Sequence, residues 1–184
     1  MRYKCTKFKI HIYAVIFSIL NSSLIAEEMI FGSEKLSNGI DIIFEAAPKD
    51  VVYPEEYFLK ESGTDIHIEM LINWSNDAPE GSPKGGFIPY LEVTAVISNQ
   101  KGDSLETQLT PHINLTDNFH YAQNIRLPGK IDELYDVIIK ISPPEKEELG
   151  IHYDWKDKYG ILLKQQKFQY KKLSFKSIAE KSRR

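Results

Sequence analysis

The sequence predicts an all-β protein, an immunoglobulin-like antiparallel β-sandwich. The 184-residue chain contains about seven short segments in which apolar and polar residues alternate, which is the period of a strand with one buried face. Clusters of Gly, Pro, Asn and Asp separate these segments. No stretch keeps the helical period over a long distance. Short strands joined by turns in this way are typical of two packed antiparallel sheets.

The first half of the chain contains four of the predicted strands. Residues 39–46 place Ile, Phe and Ala at every second position, and residues 65–74 do the same with Ile and Met. Residues 87–98 alternate aliphatic with polar or aromatic residues. The sequence at 99–103, Asn-Gln-Lys-Gly-Asp, is typical of a hairpin turn and predicts a returning strand at 104–109.

The second half contains three more predicted strands. Residues 124–127 form a short strand that ends at a Pro-Gly turn, and residues 134–142 alternate clearly until two prolines stop them. Residues 166–175 alternate Phe, Tyr and Lys and form the last strand. Irregular, polar segments between these strands are predicted to be loops: residues 47–64, 75–86, 111–121 and 145–159.

The chain begins with a predicted secretory signal peptide. Residues 1–26 contain a basic start, an apolar run over 10–20 and a small residue, Ala26, before an acidic one. The apolar run is too short to span a bilayer comfortably. The domain organisation that follows has three parts: a signal peptide over 1–26, an immunoglobulin-like metal-binding domain over 27–176 whose first residues form a loose arm, and a frayed basic tail over 177–184.

Removal of this segment leaves an acidic chain without cysteine. Residues 27–184 contain 19 Lys and Arg against 26 Asp and Glu, a formal net charge of −7. Such a charge argues against a nucleic-acid-binding protein and suits a protein that attracts cations. The only cysteine, Cys5, precedes the predicted cleavage site. The mature chain therefore has neither a disulfide nor a thiolate metal ligand.

The strand at 65–74 carries the first candidate functional residues. Alternation places Ile66, Ile68 and Met70 on a core face, so His67 and Glu69 share the opposite face. An imidazole beside a carboxylate is half of a metal site or an acid/base pair, and it also occurs on solvated sheet faces. Because this face points away from the core, we expect it to be exposed unless a loop or a second subunit covers it.

Three further histidines, His112, His120 and His152, lie in predicted loops. Loops of a β-sandwich gather at its two ends, so residues distant in sequence can meet there. With His67 and Glu69 they would supply enough ligands for a metal ion. Their spacing alone favours ordinary surface or satisfied histidines, because no His-x-x-x-His or other close pair occurs.

Several segments in a fixed order resemble one known family. They are Asp-Ile-His-Ile-Glu at 65–69, Gly-Phe-Ile-Pro-Tyr-Leu at 86–91, His-Tyr-Ala-Gln-Asn-Ile at 120–125, Ile-Ser-Pro-Pro at 141–144 and Gly-Ile-His-Tyr-Asp at 150–154. The chain resembles, over about residues 34–173, the periplasmic iron-transport accessory proteins, which are copper-binding, iron-regulated partners of high-affinity iron permeases. The resemblance implies a sandwich that forms homodimers in the periplasm, binds copper and iron-like divalent ions at the dimer interface and assists an inner-membrane iron permease.

The resemblance also implies a set of ligands. His67, Glu69, His120 and His152 match histidine and carboxylate positions of the family. The family's methionine-bearing segment reads Thr-Pro-His at 110–112 here, so either His112 replaces the methionine or that ligand is missing. A site of nitrogen and oxygen donors suits Cu(II), iron, zinc or manganese better than Cu(I), which favours thioethers.

Three functions are compatible with these features. The first is an exported protein that holds copper or iron-like ions and helps deliver iron to a permease, without catalysing a reaction. The second is a copper-dependent iron oxidoreductase that uses the same residues. The third is a metal-free interaction module. Iron turnover by the copper-loaded protein distinguishes the second function, and metal content distinguishes the third.

Overall fold

Eight antiparallel strands account for most of the computed structural model, which describes residues 28–115 and 117–181. The predicted signal peptide therefore lies outside the described residues. The strands are β1 (Met29–Leu36), β2 (Ile40–Pro48), β3 (Ile66–Trp74), β4 (Glu92–Asn99), β5 (Ser104–His112), β6 (His120–Ile125), β7 (Leu134–Ser142) and β8 (Gln166–Ser174). Two short helices, α1 (Tyr153–Tyr159) and α2 (Lys176–Ala179), and two 3-10 turns, Glu55–Tyr57 and Glu61–Gly63, complete the fold.

The strands follow the order β1-β2-β3-β6-β5-β4-β7-β8, and every neighbouring pair is antiparallel. Strand β5 joins the two halves, because its first part pairs with β4 while residues 110–112 pair with β6. At the two ends of the order, the Tyr170 hydroxyl of β8 donates a hydrogen bond to Glu34 of β1 at 2.9 Å. The sheet is therefore nearly closed, like a barrel. The predicted all-β class is confirmed, and the immunoglobulin-like arrangement stays a prediction.

The core contains the apolar residues that alternation predicted. On β3, Ile66, Ile68, Met70 and Ile72 are fully buried, and the inward residues of β2, β4 and β7 pack against them. The opposite face of β3 is also buried, with His67 only 3% exposed and Glu69 0% exposed. The cover that we expected this face to need comes from a loop of the chain itself, since the 49–62 segment packs over it.

Several predicted elements differ from the structure. Residues 29–36, predicted to be a loose arm, form β1; a bulge between Ile30 and Gly32 breaks the alternation that would have revealed the strand. The predicted loop at 145–159 contains α1. The start of the predicted frayed tail forms α2, which buries Ile178 and Ala179 against the core. In the part of the chain that the structure describes, no helix is long and apolar enough to cross a membrane.

Candidate metal centre

Four of the five predicted site residues converge where β3, β5 and β6 meet. His67 and Glu69 lie on β3, His112 ends β5 and His120 begins β6. His112 and His120 are opposite one another in the β5–β6 pair, so their side chains share a face. One nitrogen from each of the three histidines lies within 4.8 Å of the others. Strand pairing therefore assembles three imidazoles from residues that are far apart in sequence.

The Glu69 carboxylate lies between two of these imidazoles. Its Oε1 is 3.7 Å from His67 Nε2, and its Oε2 is 3.9 Å from His120 Nε2. Two ligands of one tetrahedral ion at ordinary bond lengths are about 3.4 Å apart. The observed separations exceed that value by a few tenths of an ångström, so small side-chain movements would bring these donors to one ion. The residues present fit a divalent cation.

Hydrogen bonds on the far side of two rings determine which nitrogen faces the centre. Asn124 Nδ2 donates to the carbonyl oxygens of Asp50 and Leu59 at 2.8 and 2.9 Å, so its Oδ1 must accept from His67 Nδ1, 2.7 Å away. His120 Nδ1 likewise donates to the Asn118 carbonyl oxygen at 2.9 Å. In both rings the proton is then on Nδ1, and the Nε2 lone pair is available to a metal.

His112 is held neutral by its surroundings. Burial, with the neighbouring His120 adding to it, lowers the pKa of His112 to about 4. Its ring centroid lies 5.2 Å from that of His67, and the edge of Phe58 packs against it with centroids 5.1 Å apart. A neutral imidazole binds a metal without first losing a proton, so His112 can act as a ligand at neutral pH.

A group of carboxylates adjoins the histidines. Oxygens of Glu28, Glu69 and Asp117 lie within 4.8 Å of one another, and Glu45 of β2 is directly opposite Glu69 of β3. Burial, with the negative charge of Glu28 adding to it, raises the pKa of Glu45 to about 7. Sequence reasoning missed Glu28, Glu45 and Asp117. The only available signal was the position of Glu45 on the polar face of its strand.

His152 is placed apart from the other four predicted residues. It is exposed at the start of α1 and lines a different cavity of about 700 Å³ together with Trp74 and Trp155. The three-histidine centre opens instead into a cavity of about 370 Å³, bordered by Asp50 and residues of the 51–58 segment. Within one chain, His152 does not join the centre.

Known proteins are similar to this chain over between about half and four-fifths of its length. The chain is 28% identical over 140 residues to a UPF0423 protein from Brucella abortus. The alignment covers 70% of this chain and 71% of that protein. It is also 29% identical over 92 residues to the 34 kDa membrane antigen of Treponema pallidum. That alignment covers 49% of this chain and 44% of the antigen.

Among solved structures, the copper-reconstituted P19 protein from Campylobacter jejuni superposes with a TM-score of 0.68 at 28% identity, covering 79% of this chain and 94% of P19. FetP from uropathogenic Escherichia coli strain F11 shares the fold, with a TM-score of 0.67 at 24% identity over 79% of this chain and 95% of FetP.

The family model described as Fe2+ transport protein matches residues 25–177. This match spans most of the chain, and it confirms the resemblance to iron-transport proteins. The chain belongs to the Fe2+ transport protein family.

Proposed function

We propose that the protein binds one divalent metal ion, copper or an iron-like ion, at His67, His112, His120 and Glu69. The observation that carries this proposal is the group of three imidazole nitrogens within 4.8 Å of one another beside a fully buried carboxylate. Two of the imidazoles are oriented by hydrogen bonds, so little rearrangement is needed on binding. The copper-reconstituted P19 relative and the family match support the same conclusion.

The donor set also favours particular ions. Met70 is fully buried in the core on the opposite face of β3, so it offers no thioether to the centre. Nitrogen and oxygen ligands favour Cu(II), Fe, Zn or Mn over Cu(I). We expect weaker Cu(I) binding than in a relative whose centre contains a methionine. A competition titration with a Cu(I) chelator, comparing the wild type with His112→Met, measures this difference.

The biological role we propose is to hold iron or copper in the periplasm beside an inner-membrane iron permease. The predicted signal peptide supports an exported location, and FetP was produced in the periplasm of E. coli. Residues 28–163 contain eleven Lys and Arg against 24 Asp and Glu, a formal charge of −13, and such a field concentrates cations. The ion is then cargo that the permease receives.

A homodimer would complete the centre. Tyr53 and Ile113, which line the cavity of the centre, are exposed to solvent, and burying their apolar surface is favourable. We propose that a second copy covers this cavity and that His152 of the partner subunit supplies a further ligand. Within a single chain, His152 is exposed and available for such a contact.

One observation favours an iron oxidoreductase as a second function. Glu69 belongs both to the histidine group and to the carboxylate group, so a nitrogen-rich and an oxygen-rich position would adjoin one another. Copper(II) at the first could accept one electron from iron(II) at the second, giving copper(I) and iron(III). Anaerobic addition of iron(II) to the Cu(II)-loaded protein tests this, because the Cu(II) absorption should fade in the wild type and persist in Glu69→Gln.

The test of the main proposal is the metal content of the exported protein, measured by elemental analysis after dialysis against Cu(II) or Mn(II). We expect about one ion per chain in the wild type and much less in His67→Ala. His152→Ala should lower the content only where dimers form. If neither variant lowers the metal content, the assignment of the site fails, and a wild type without metal would favour the interaction module.

A further inference from the structure

A strong separation of charge divides the chain at about residue 164. Residues 28–163 have a formal charge of −13, whereas residues 164–181 contain six Lys and one Glu, a charge of +5. This basic segment forms β8 and α2. In the nearly closed sheet, β1 and β2 lie between β8 and β3 on one side, and β7, β4 and β5 lie between β8 and β6 on the other. Because β3 and β6 carry the metal centre, the basic surface is separate from that centre.

The lysines of this segment point outward together. On β8, Phe168 and Tyr170 are turned towards the core cluster, whereas Lys167 and Lys171 are exposed on the opposite face. Lys164 before the strand and Lys176 after it are exposed as well. Within the described ranges, no carboxylate oxygen lies within 4.0 Å of the ammonium groups of Lys164, Lys167, Lys171 or Lys172. These charges are not neutralised by the protein.

Two lysines are paired directly across neighbouring strands. Lys140 of β7 is opposite Lys167 of β8, so their side chains start about 5 Å apart on the outer face. Like charges in this arrangement are destabilising. Protection of an exposed strand edge needs charges on the edge strand only, and Lys140 lies on the strand behind it. The fold therefore tolerates a repulsion that edge protection does not require.

A backbone irregularity adds another lysine to the same surface. The register of β7 with β8 shifts between Tyr135 and Val137, and Lys172 has a φ of +56°, a conformation that Gly and Asn adopt more easily. Its amide donates to Asp136 Oδ1 at 2.9 Å. As a result Lys171 and Lys172 are both exposed, whereas strict alternation would turn one of them inward.

We propose that this basic face, formed by Lys140, Lys164, Lys167, Lys171, Lys172 and Lys176, docks on a bilayer surface that carries anionic phospholipid headgroups. Clusters of four to eight basic residues bind such surfaces, and each lysine contributes separately. Polar Gln169 lies between Lys167 and Lys171 on β8, and Ser174 lies between Lys172 and Lys176. The lysines therefore form an extended row of point charges, which suits a flat layer of headgroups better than it suits a single ligand in a pocket. The docked protein would keep its metal centre away from the lipid.

Vesicle sedimentation tests this proposal with the exported, processed protein. One set of vesicles is phosphatidylcholine, and in the other about a third of the lipid is phosphatidylglycerol. We expect binding to the anionic vesicles only, weakening as salt rises past about 0.15 M. The double variant Lys167→Glu/Lys171→Glu should bind at least about 30-fold more weakly and should keep its metal affinity.

A matched control is Lys84→Glu/Lys146→Glu, which changes the net charge equally at exposed positions outside the basic face. It should retain most of the binding. Lys172→Asn separates charge from folding, because Asn relieves the left-handed conformation: we expect an unchanged or higher melting temperature with about fivefold weaker vesicle binding. Equal binding to both vesicle types, no loss in the Lys167→Glu/Lys171→Glu variant, or an equal loss in the control would each overturn the proposal.

Discussion

Asn124 links the metal centre to the loop that covers it, so its truncation should affect both stability and metal binding. The Asn124→Ala change removes three hydrogen bonds: a buried one accepted from His67 Nδ1, and two partly buried ones donated to the carbonyl oxygens of Asp50 and Leu59. At about 1 kcal/mol for each neutral hydrogen bond, the metal-free protein should lose about 3 kcal/mol of unfolding free energy. Urea denaturation followed by circular dichroism measures this loss.

The same change frees the His67 ring to rotate or to move its proton to Nε2. Loss of such an orienting group typically lowers metal affinity by about 10- to 100-fold, which a chelator competition titration detects. Asn124→Asp keeps an acceptor for His67 and loses both donations to the loop, so it should lower stability and retain most of the affinity.

A distant control is Asn38→Ala, which removes one hydrogen bond to the Leu162 carbonyl oxygen. It should cost about 1 kcal/mol and leave metal binding unchanged. The reasoning is refuted if Asn124→Ala binds metal as tightly as the wild type.

Two further predictions concern buried polar groups, and a third concerns the exposed His152. Because the pKa of Glu45 is raised to about 7, the folded metal-free protein holds this proton more tightly than the unfolded chain, and its stability falls as pH rises from about 4.5 to 7. The unfolding free energy of Glu45→Gln should therefore exceed that of the wild type by about 2 kcal/mol at pH 8 and by little at pH 4.5. An equal effect at both pH values would contradict this. The Tyr121 hydroxyl donates to the Ile88 carbonyl oxygen at 3.0 Å and accepts from the Leu91 amide at 2.9 Å. Urea denaturation should therefore show that Tyr121→Phe lowers the unfolding free energy by about 2 kcal/mol. A loss below about 0.5 kcal/mol would show that water replaces the hydroxyl. His152→Ala should weaken metal binding at protein concentrations where dimers form and leave it unchanged in dilute monomer. Metal titrations at two protein concentrations measure this difference. An equal effect at both concentrations would exclude a ligand from the partner.

Local alternation predicted the parts of the molecule that depend on single strands. It identified the core face of β3 and placed His67 and Glu69 together on the other face, because side-chain direction has a period of two residues along a strand. The same rule failed for β1, where the bulge between Ile30 and Gly32 interrupts the period. It could not identify α2 either, because its four residues are too few to show a helical period.

The carboxylates around the centre depend on contacts between distant parts of the chain. Glu45 reaches Glu69 through the β2–β3 register, and Asp117 reaches it from the loop before β6. Burial of the centre likewise depends on the path of the 49–62 segment, which Asn124 holds through two carbonyl groups. Side-chain alternation within one strand contains no information about such pairings, so the composition of the centre could be predicted only in part.

Electron paramagnetic resonance of the protein loaded with one equivalent of Cu(II) tests the central claim most directly. We predict a single copper species whose hyperfine pattern shows coupling to at least three imidazole nitrogens, those of His67, His112 and His120. Replacing any one of the three by Ala should remove one nitrogen coupling, whereas Lys84→Glu should leave the spectrum unchanged. A spectrum without nitrogen coupling, or one that none of the three substitutions alters, would contradict the assignment.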